Sequence, residues 1–164
     1  DLWPQLTGEY EAVKAVVEEG GTITYCETLN AAFDAITSSG TITLYDDITI
    51  TGRCDGKKGD VKKTITIIPS KAGITISSTL NKSILLLGNG DELTVGSDQY
   101  TLTIDGGSVD NSSNPVEASG GNTTFNNVRF VNCVTTTSTL GGVICAKTGG
   151  SLYLNNVTFD NCTT

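Results

Sequence analysis

From Gly40 onward the chain alternates apolar and polar residues over runs of three to five positions, and each run ends in turn-forming residues. Thr41-Ile42-Thr43-Leu44 and Thr64-Ile65-Thr66-Ile67 show the pattern most plainly. A period of two sends alternate side chains to opposite faces, so each run reads as a short half-buried strand. The predicted strands are Thr41–Tyr45, Ile48–Thr51, Thr64–Ile68, Ile74–Ser77, Ile84–Leu87, Leu93–Val95, Thr101–Ile104, Asn122–Phe125, Val128–Val131, Gly142–Ala146, Ser151–Leu154 and Val157–Asp160. Asp46-Asp47, Gly73, Gly88-Asn89-Gly90-Asp91 and Asp105-Gly106-Gly107 punctuate them as turns. Many short strands at close spacing leave a sandwich, a barrel or a solenoid.

The first forty residues follow a different pattern. Glu11–Val17 suits helix or strand, but Gly20-Gly21 before Thr22-Ile23-Thr24-Tyr25-Cys26 favours a hairpin. Within Thr28–Ser38, the apolar residues Leu29, Ala32, Phe33 and Ile36 recur at helical spacing behind Thr28 as N-cap, with Gly40 as the stop. Residues 1–40 are therefore expected to form a cap of hairpin plus short amphipathic helix, and residues 41–164 the stranded body, with truncation expected at its C-terminal end.

A repeat chooses among the β architectures. Residues 120–133 read GGNTTFNNVRFVNC and residues 149–162 read GGSLYLNNVTFDNC, identical at eight of fourteen positions. A period in this range marks stacked units. With one repeat per coil, equivalent residues lie about 4.8 Å apart in parallel register. Val128 then stacks with Val157 and Phe130 with Phe159 on an inner face, which Asn132 shares by alternation. Asn126 with Asn155, Asn127 with Asn156, and Asn132 with Asn161 can build amide ladders, each side chain donating to one neighbour and accepting from the other. Gly120-Gly121 and Gly149-Gly150 allow corners with positive φ. Cys133 and Cys162 would also sit one coil apart, a candidate disulfide by separation although their Cβ vectors would run nearly parallel. The fold expected is an all-β parallel β-helix with a short N-terminal helical cap. The inserted segment Thr135–Leu140, and Asp55–Lys63 elsewhere, are the loops where binding would occur.

Composition supports short-stranded β structure and narrows the chemistry. Threonine-rich strands, 19 glycines and 3 prolines suit short strands with tight turns. A net charge of −8 argues against nucleic acid, which needs clustered cations. The one basic cluster, Lys57, Lys58, Lys62 and Lys63, is interrupted by Asp60 and reads as a solvated loop. No apolar run is long enough to insert in a membrane. The five cysteines, Cys26, Cys54, Cys133, Cys145 and Cys162, form no Cys-x-x-Cys pair, so small buried residues are the simplest reading. Five Asn-x-Ser/Thr sequons, at Asn81, Asn111, Asn122, Asn156 and Asn161, follow from a composition rich in those residues.

The Phe130-Val131-Asn132 and Phe159-Asp160-Asn161 elements, taken with Gly141-Gly142-Val143-Ile144, resemble the repeats of polymorphic outer-membrane proteins and related β-helical adhesins. The Phe-to-Asn spacing is one residue shorter than the usual form, and Val143 replaces a small alanine. Residues Tyr25–Ile36, followed by Gly40-Thr41-Ile42-Thr43-Leu44, resemble the entry cap of adhesin-like pectate-lyase-fold proteins. These resemblances imply a right-handed β-helix, export or surface display, and an adhesive or structural role toward a host surface protein or glycan.

The absence of histidine removes Ser-His, Cys-His and His-dependent metal mechanisms. A carboxylate pair could still cleave glycosides, with Asp46, Asp47, Asp91, Glu92, Asp105 and Asp110 as candidates, but most sit where Asp caps turns. A calcium-assisted lyase would need clustered carboxylates beside a base such as Arg129. The expectation is a non-catalytic module with no cofactor and no metal. A fragment of a polysaccharide lyase or glycoside hydrolase is the alternative. An ice-binding face is the minor alternative, weakened by irregular threonine spacing.

Overall fold

In a computed structural model of the chain, the described residues are 13–56, 61–88, 90–108, 115–136, 142–147 and 149–163. Lys57, Lys58, Asp60, Asn89, Asp110, Asn111, Gly141 and residues 137–140 of the predicted insertion lie outside them. The chain opens with β1 (Ala15–Glu19) and β2 (Thr22–Cys26), then α1 (Leu29–Ala35). Four three-stranded coils follow. They are β3 (Ser39–Leu44), β4 (Ile48–Ile50) and β5 (Cys54–Asp55); β6 (Thr64–Pro69), β7 (Thr75–Ser78) and β8 (Leu85–Leu87); β9 (Glu92–Gly96), β10 (Leu102–Asp105) and β11 (Val116–Ser119); β12 (Asn122–Asn126), β13 (Val128–Val131) and β14 (Ile144–Lys147). A fifth coil is represented by β15 (Ser151–Asn155) and β16 (Thr158–Asp160).

Equivalent strands stack into three sheets, ordered β15-β12-β9-β6-β3-β1-β2, β16-β13-β10-β7-β4 and β14-β11-β8-β5. All pairings between coils are parallel. The chain is thus a parallel β-solenoid. Register follows the apolar alternation. Ile42, Ile67, Val95 and Phe125 form one inner column of the first sheet, and Ile76, Ile104, Phe130 and Phe159 one of the second. All but Phe159 of these are buried. A one-residue slip would turn each column to solvent, so burial fixes the register.

The entry end departs from the parallel rule. β1 pairs antiparallel with β3 and with β2, so the hairpin closes the first sheet's edge. Its turn uses Gly20 at φ 56° and Gly21 at φ 82°, the doubly left-handed geometry of a tight hairpin. The Thr28 hydroxyl accepts from the Ala31 amide as the predicted N-cap. Leu29, Ala32 and Phe33 are buried against the end of the core. The helix stops at Ala35 because Ile36 turns extended. Gly40, expected to stop it, lies inside β3, where an added Cβ would meet Glu18 O and the Ile36 side chain at 3.0 Å.

Two strands escaped the sequence pattern. β5 is only two residues long, and β11 joins Val116 and Ala118 to the core from a Gly-, Ser- and Asn-rich stretch that masks the alternation.

Candidate functional site

The predicted ladder residues form the corners of the last two coils. Asn127, Asn132, Asn156 and Asn161 have φ of 56°, 52°, 52° and 50°. Asparagine tolerates this left-handed region better than other non-glycine residues because its short polar side chain bonds locally. The corners turn the chain out of β12, β13, β15 and β16, and they set the amides in register. Asn155 Nδ2 donates to Asn126 Oδ1 at 2.8 Å, Asn156 Nδ2 to Asn127 Oδ1 at 3.0 Å, and Asn161 Nδ2 to Asn132 Oδ1 at 2.8 Å. The rails continue into the third coil with other residue types. The Thr101 hydroxyl donates to Asn127 Oδ1 at 2.9 Å, and Asn132 Nδ2 donates to Asp105 Oδ1 at 3.1 Å.

This placement corrects one expectation. Asn132 follows the end of β13 and, with its positive φ, leaves the inner face that Val128 and Phe130 occupy. The ladders run along the half-exposed corners of the solenoid, outside its core. Gly120 and Gly149 also take the positive φ that the glycine pairs predict, at 80° and 78°. The asparagine corners were legible in principle from the Asn-Asn-Val repetition.

Inside the corners, Phe130 packs face to face on Phe159, with centroids 5.3 Å apart and planes 9° from parallel, and edge-on to Phe125 at 5.2 Å. Cys133 and Cys162 sit one above the other, but all five cysteines are free thiols. The candidate disulfide is not formed, in keeping with the simpler reading of small buried residues. In-register stacking points both Cβ atoms the same way, whereas a disulfide needs them converging with a dihedral near 90°. Cys133 Sγ donates to Val131 O, and Cys162 Sγ lies within bonding distance of Asp160 O and Phe130 O. Burial, reinforced by the neighbouring Cys162, pushes the Cys133 thiol up to about 12. Burial, reinforced by Asp34, does the same at Cys54, to about 12.

The carboxylates weighed for catalysis are scattered and mostly tied to backbone. Asp91 is buried, its Oδ1 accepting from Lys63 N and its Oδ2 from Gly88 N. Asp46 accepts from Asp47 N, Asp47 from Thr75 N, and Asp105 from Gly107 N. Arg129 pairs with Asp160 on the outer face of the second sheet. Among the described residues no group of three acidic or thiol side chains could hold a metal ion. Lys63, expected in a solvated loop, is only 5% exposed, and its Nζ donates to Phe33 O, the open carbonyl at the end of α1. Thr135, expected at the start of an exposed insertion, is 2% exposed, with its amide bonded to Thr163 O.

The threonines are more regular than their spacing suggests. Because the coils differ in length, the sequence hides a column that register reveals. Thr41, Thr66, Thr94 and Thr124 align on the outer face of the first sheet, and Tyr153 continues the column, 58% exposed. The adjacent column is mixed, running Ser39, Thr64, Glu92, Asn122 and Ser151. No family model, no curated protein and no solved structure matches the chain.

Proposed function

We propose that the chain is a non-catalytic β-solenoid module of a secreted or surface-displayed protein, with an adhesive or structural role toward a host surface protein or glycan. One observation carries this reading. The candidate acids Asp46, Asp47, Asp91 and Asp105 all accept hydrogen bonds from backbone amides, within their own turns or from the neighbouring coil, which supports a structural role for them. A glycosidase needs two carboxyl groups facing one bond, and a lyase needs a base beside a cation site. A stack of regular coils with long connections between β5 and β6 and between β13 and β14 also suits binding from loops on a scaffold. The resemblance of the Phe-x-Asn repeats and of the entry cap to β-helical adhesins points the same way.

Incubation with a panel of neutral and acidic polysaccharides, read both for retention and for product release, tests the proposal. Retention without release is the expected result. Reproducible release of oligosaccharides would replace it with the lyase or hydrolase reading. The threonine column favours the ice-binding reading more than the sequence did, but only one column is uniform. Thermal hysteresis of a concentrated solution would establish that reading, and its absence is expected.

A further inference from the structure

The first sheet turns one face to the core and the other to solvent. On β3, β6, β9 and β12 the solvent face carries the column Thr41, Thr66, Thr94 and Thr124, beside Ser39, Thr64, Glu92 and Asn122. Each of these four strands has a strand on both sides, so their exposure belongs to the face and not to either end of the chain. Glu92 is the one charged residue at their outward positions, in a chain of net charge −8. The hydroxyls of Thr41, Thr66, Thr94 and Thr124 and the side-chain amide of Asn122 have no hydrogen-bond partner among the described residues. The other two sheets differ. The second carries Asp105, Arg129 and Asp160 outward, and its Thr49 and Ser77 hydroxyls bond each other. The third carries the Glu117–Lys147 ion pair.

We propose that this face binds an extended, neutral, β-linked polysaccharide laid along the solenoid axis. The inference rests on the adhesive role toward a glycan and moves the contact from the loops to the first sheet. Three observations select this occupant. First, the side chains match it. A hydroxyl both donates and accepts, as does an amide, and sugar hydroxyls need both. No bond within the protein has to break first, so each new bond keeps its full net worth. Second, the geometry repeats. Equivalent threonines recur at the strand spacing of about 4.8 Å, close to the rise of one sugar in an extended β-linked chain. Successive sugars would therefore meet equivalent hydroxyls. Tyr25, aligned with Val16 and Thr43, and Tyr153, aligned with Thr124, stand on the same face beyond the two ends of the threonine column. Their rings offer flat apolar surface to the C–H side of a sugar. Pairing with Thr124 sets the direction of Tyr153, and a strand beyond β15 would not reverse it. Third, charge and composition disfavour other partners. An acidic chain repels nucleic acid and acidic polymers. Threonine is scarce among the residues that anchor protein interfaces.

Native electrophoresis through gels holding mixed-linkage β-glucan, glucomannan or arabinoxylan tests the proposal, with polygalacturonate as the acidic comparison. Each mobility is taken relative to a gel without polysaccharide. The unsubstituted chain should be retarded by at least one neutral polysaccharide and not by polygalacturonate. Thr66→Val with Thr94→Val removes two hydroxyls but keeps the β-branched shape that suits a strand. This pair should weaken retardation at least about tenfold. Thr75→Val with Thr103→Val, the matching pair on the outer face of the second sheet, should leave it unchanged. Circular dichroism checks that both variants keep the fold. If either does not, amide shifts of the unsubstituted chain decide, titrated with hexasaccharides cut from the retarding polysaccharide. Shifts centred on β3, β6, β9 and β12 are expected, and shifts confined to residues 56–63 and 132–143 overturn the proposal. Equal retardation of the unsubstituted chain and the first-sheet variant also overturns it, while a glycan-binding module still stands. Retardation by polygalacturonate alone overturns the neutral ligand. No retardation in any gel overturns the polysaccharide site altogether and leaves adhesion to a protein partner.

Discussion

Asn132 combines two roles that substitution can separate. Its φ of 52° suits asparagine or glycine, and its amide links Asn161 to Asp105. Asn132→Ala should lose both and destabilise the fold by about 1–2 kcal/mol, whereas Asn132→Gly should lose only the ladder, about 1 kcal/mol or less. Urea unfolding of the pair measures the difference, and equal losses would remove the backbone from the explanation. Asp91 is the other sensitive residue. Asp91→Ala would leave the Lys63 and Gly88 amides buried without an acceptor, at about 1–3 kcal/mol for each unsatisfied group. A midpoint unchanged in denaturant would show that water replaces the carboxylate. The sequence placed Asp91 in a turn correctly, but it could not show that the turn is buried, because burial arises from the coil stacked above it.

At the scale of elements, one side chain reinforces the β1–β3 ladder that holds the hairpin to the solenoid. Glu19 accepts from the backbone amides of Thr37, Ser38 and Ser39 and from the hydroxyls of Thr37 and Ser38. These bonds, led by the Thr37 amide, hold its carboxyl down at about 2, below the ordinary 4.5. A carboxylate whose folded pKa is depressed stabilises fully above its unfolded value, and that stability is lost as pH falls through the folded one. The cap should therefore loosen between pH 4.5 and about 2, and Glu19→Gln should loosen it already at neutral pH and flatten that dependence. Hydrogen exchange across β1 and β2 reads the effect directly; identical profiles for the two proteins would refute it. Element type was legible wherever alternation was strong. The Gly20-Gly21 hairpin, α1 behind Thr28 and β13 at its predicted bounds all follow from local chemistry. β5 and β11 were not legible because their strand character comes from pairing with β8 rather than from their own residues.

At the scale of the molecule, each coil touches only its neighbours, so stability is distributed along the axis. Among the described residues β3, β6, β9 and β12 are paired on both sides, whereas β15 is paired on one. Amide protection should fall toward the fifth coil, with β15 and β16 exchanging first and the β6–β9 region last. Uniform protection would mean that the coils open as one unit, or that the fifth coil is covered. The stacking itself was readable only where two coils shared a sequence, residues 120–133 and 149–162. The earlier coils bury Ile42, Ile67 and Val95 in the same column without repeating each other's sequence. Shape and apolarity suffice there, and the similarity that remains is the short step of threonine and apolar residue at Thr41, Thr66 and Thr94.

The free thiols turn this gradient into a chemical clock. Cys26 sits at the sealed end, Cys54 in the first coil, Cys133 and Cys145 in the fourth, and Cys162 in the fifth, with only Cys162 partly exposed. A thiol held near 12 is almost never the reactive thiolate while folded, so Cys54 and Cys133 must wait for their own coils to open. Under a mild alkylating reagent, Cys162 should be modified first and Cys54 long after it. Mass spectrometry of the modified peptides would then time the unwinding of the solenoid, coil by coil, without any label being introduced.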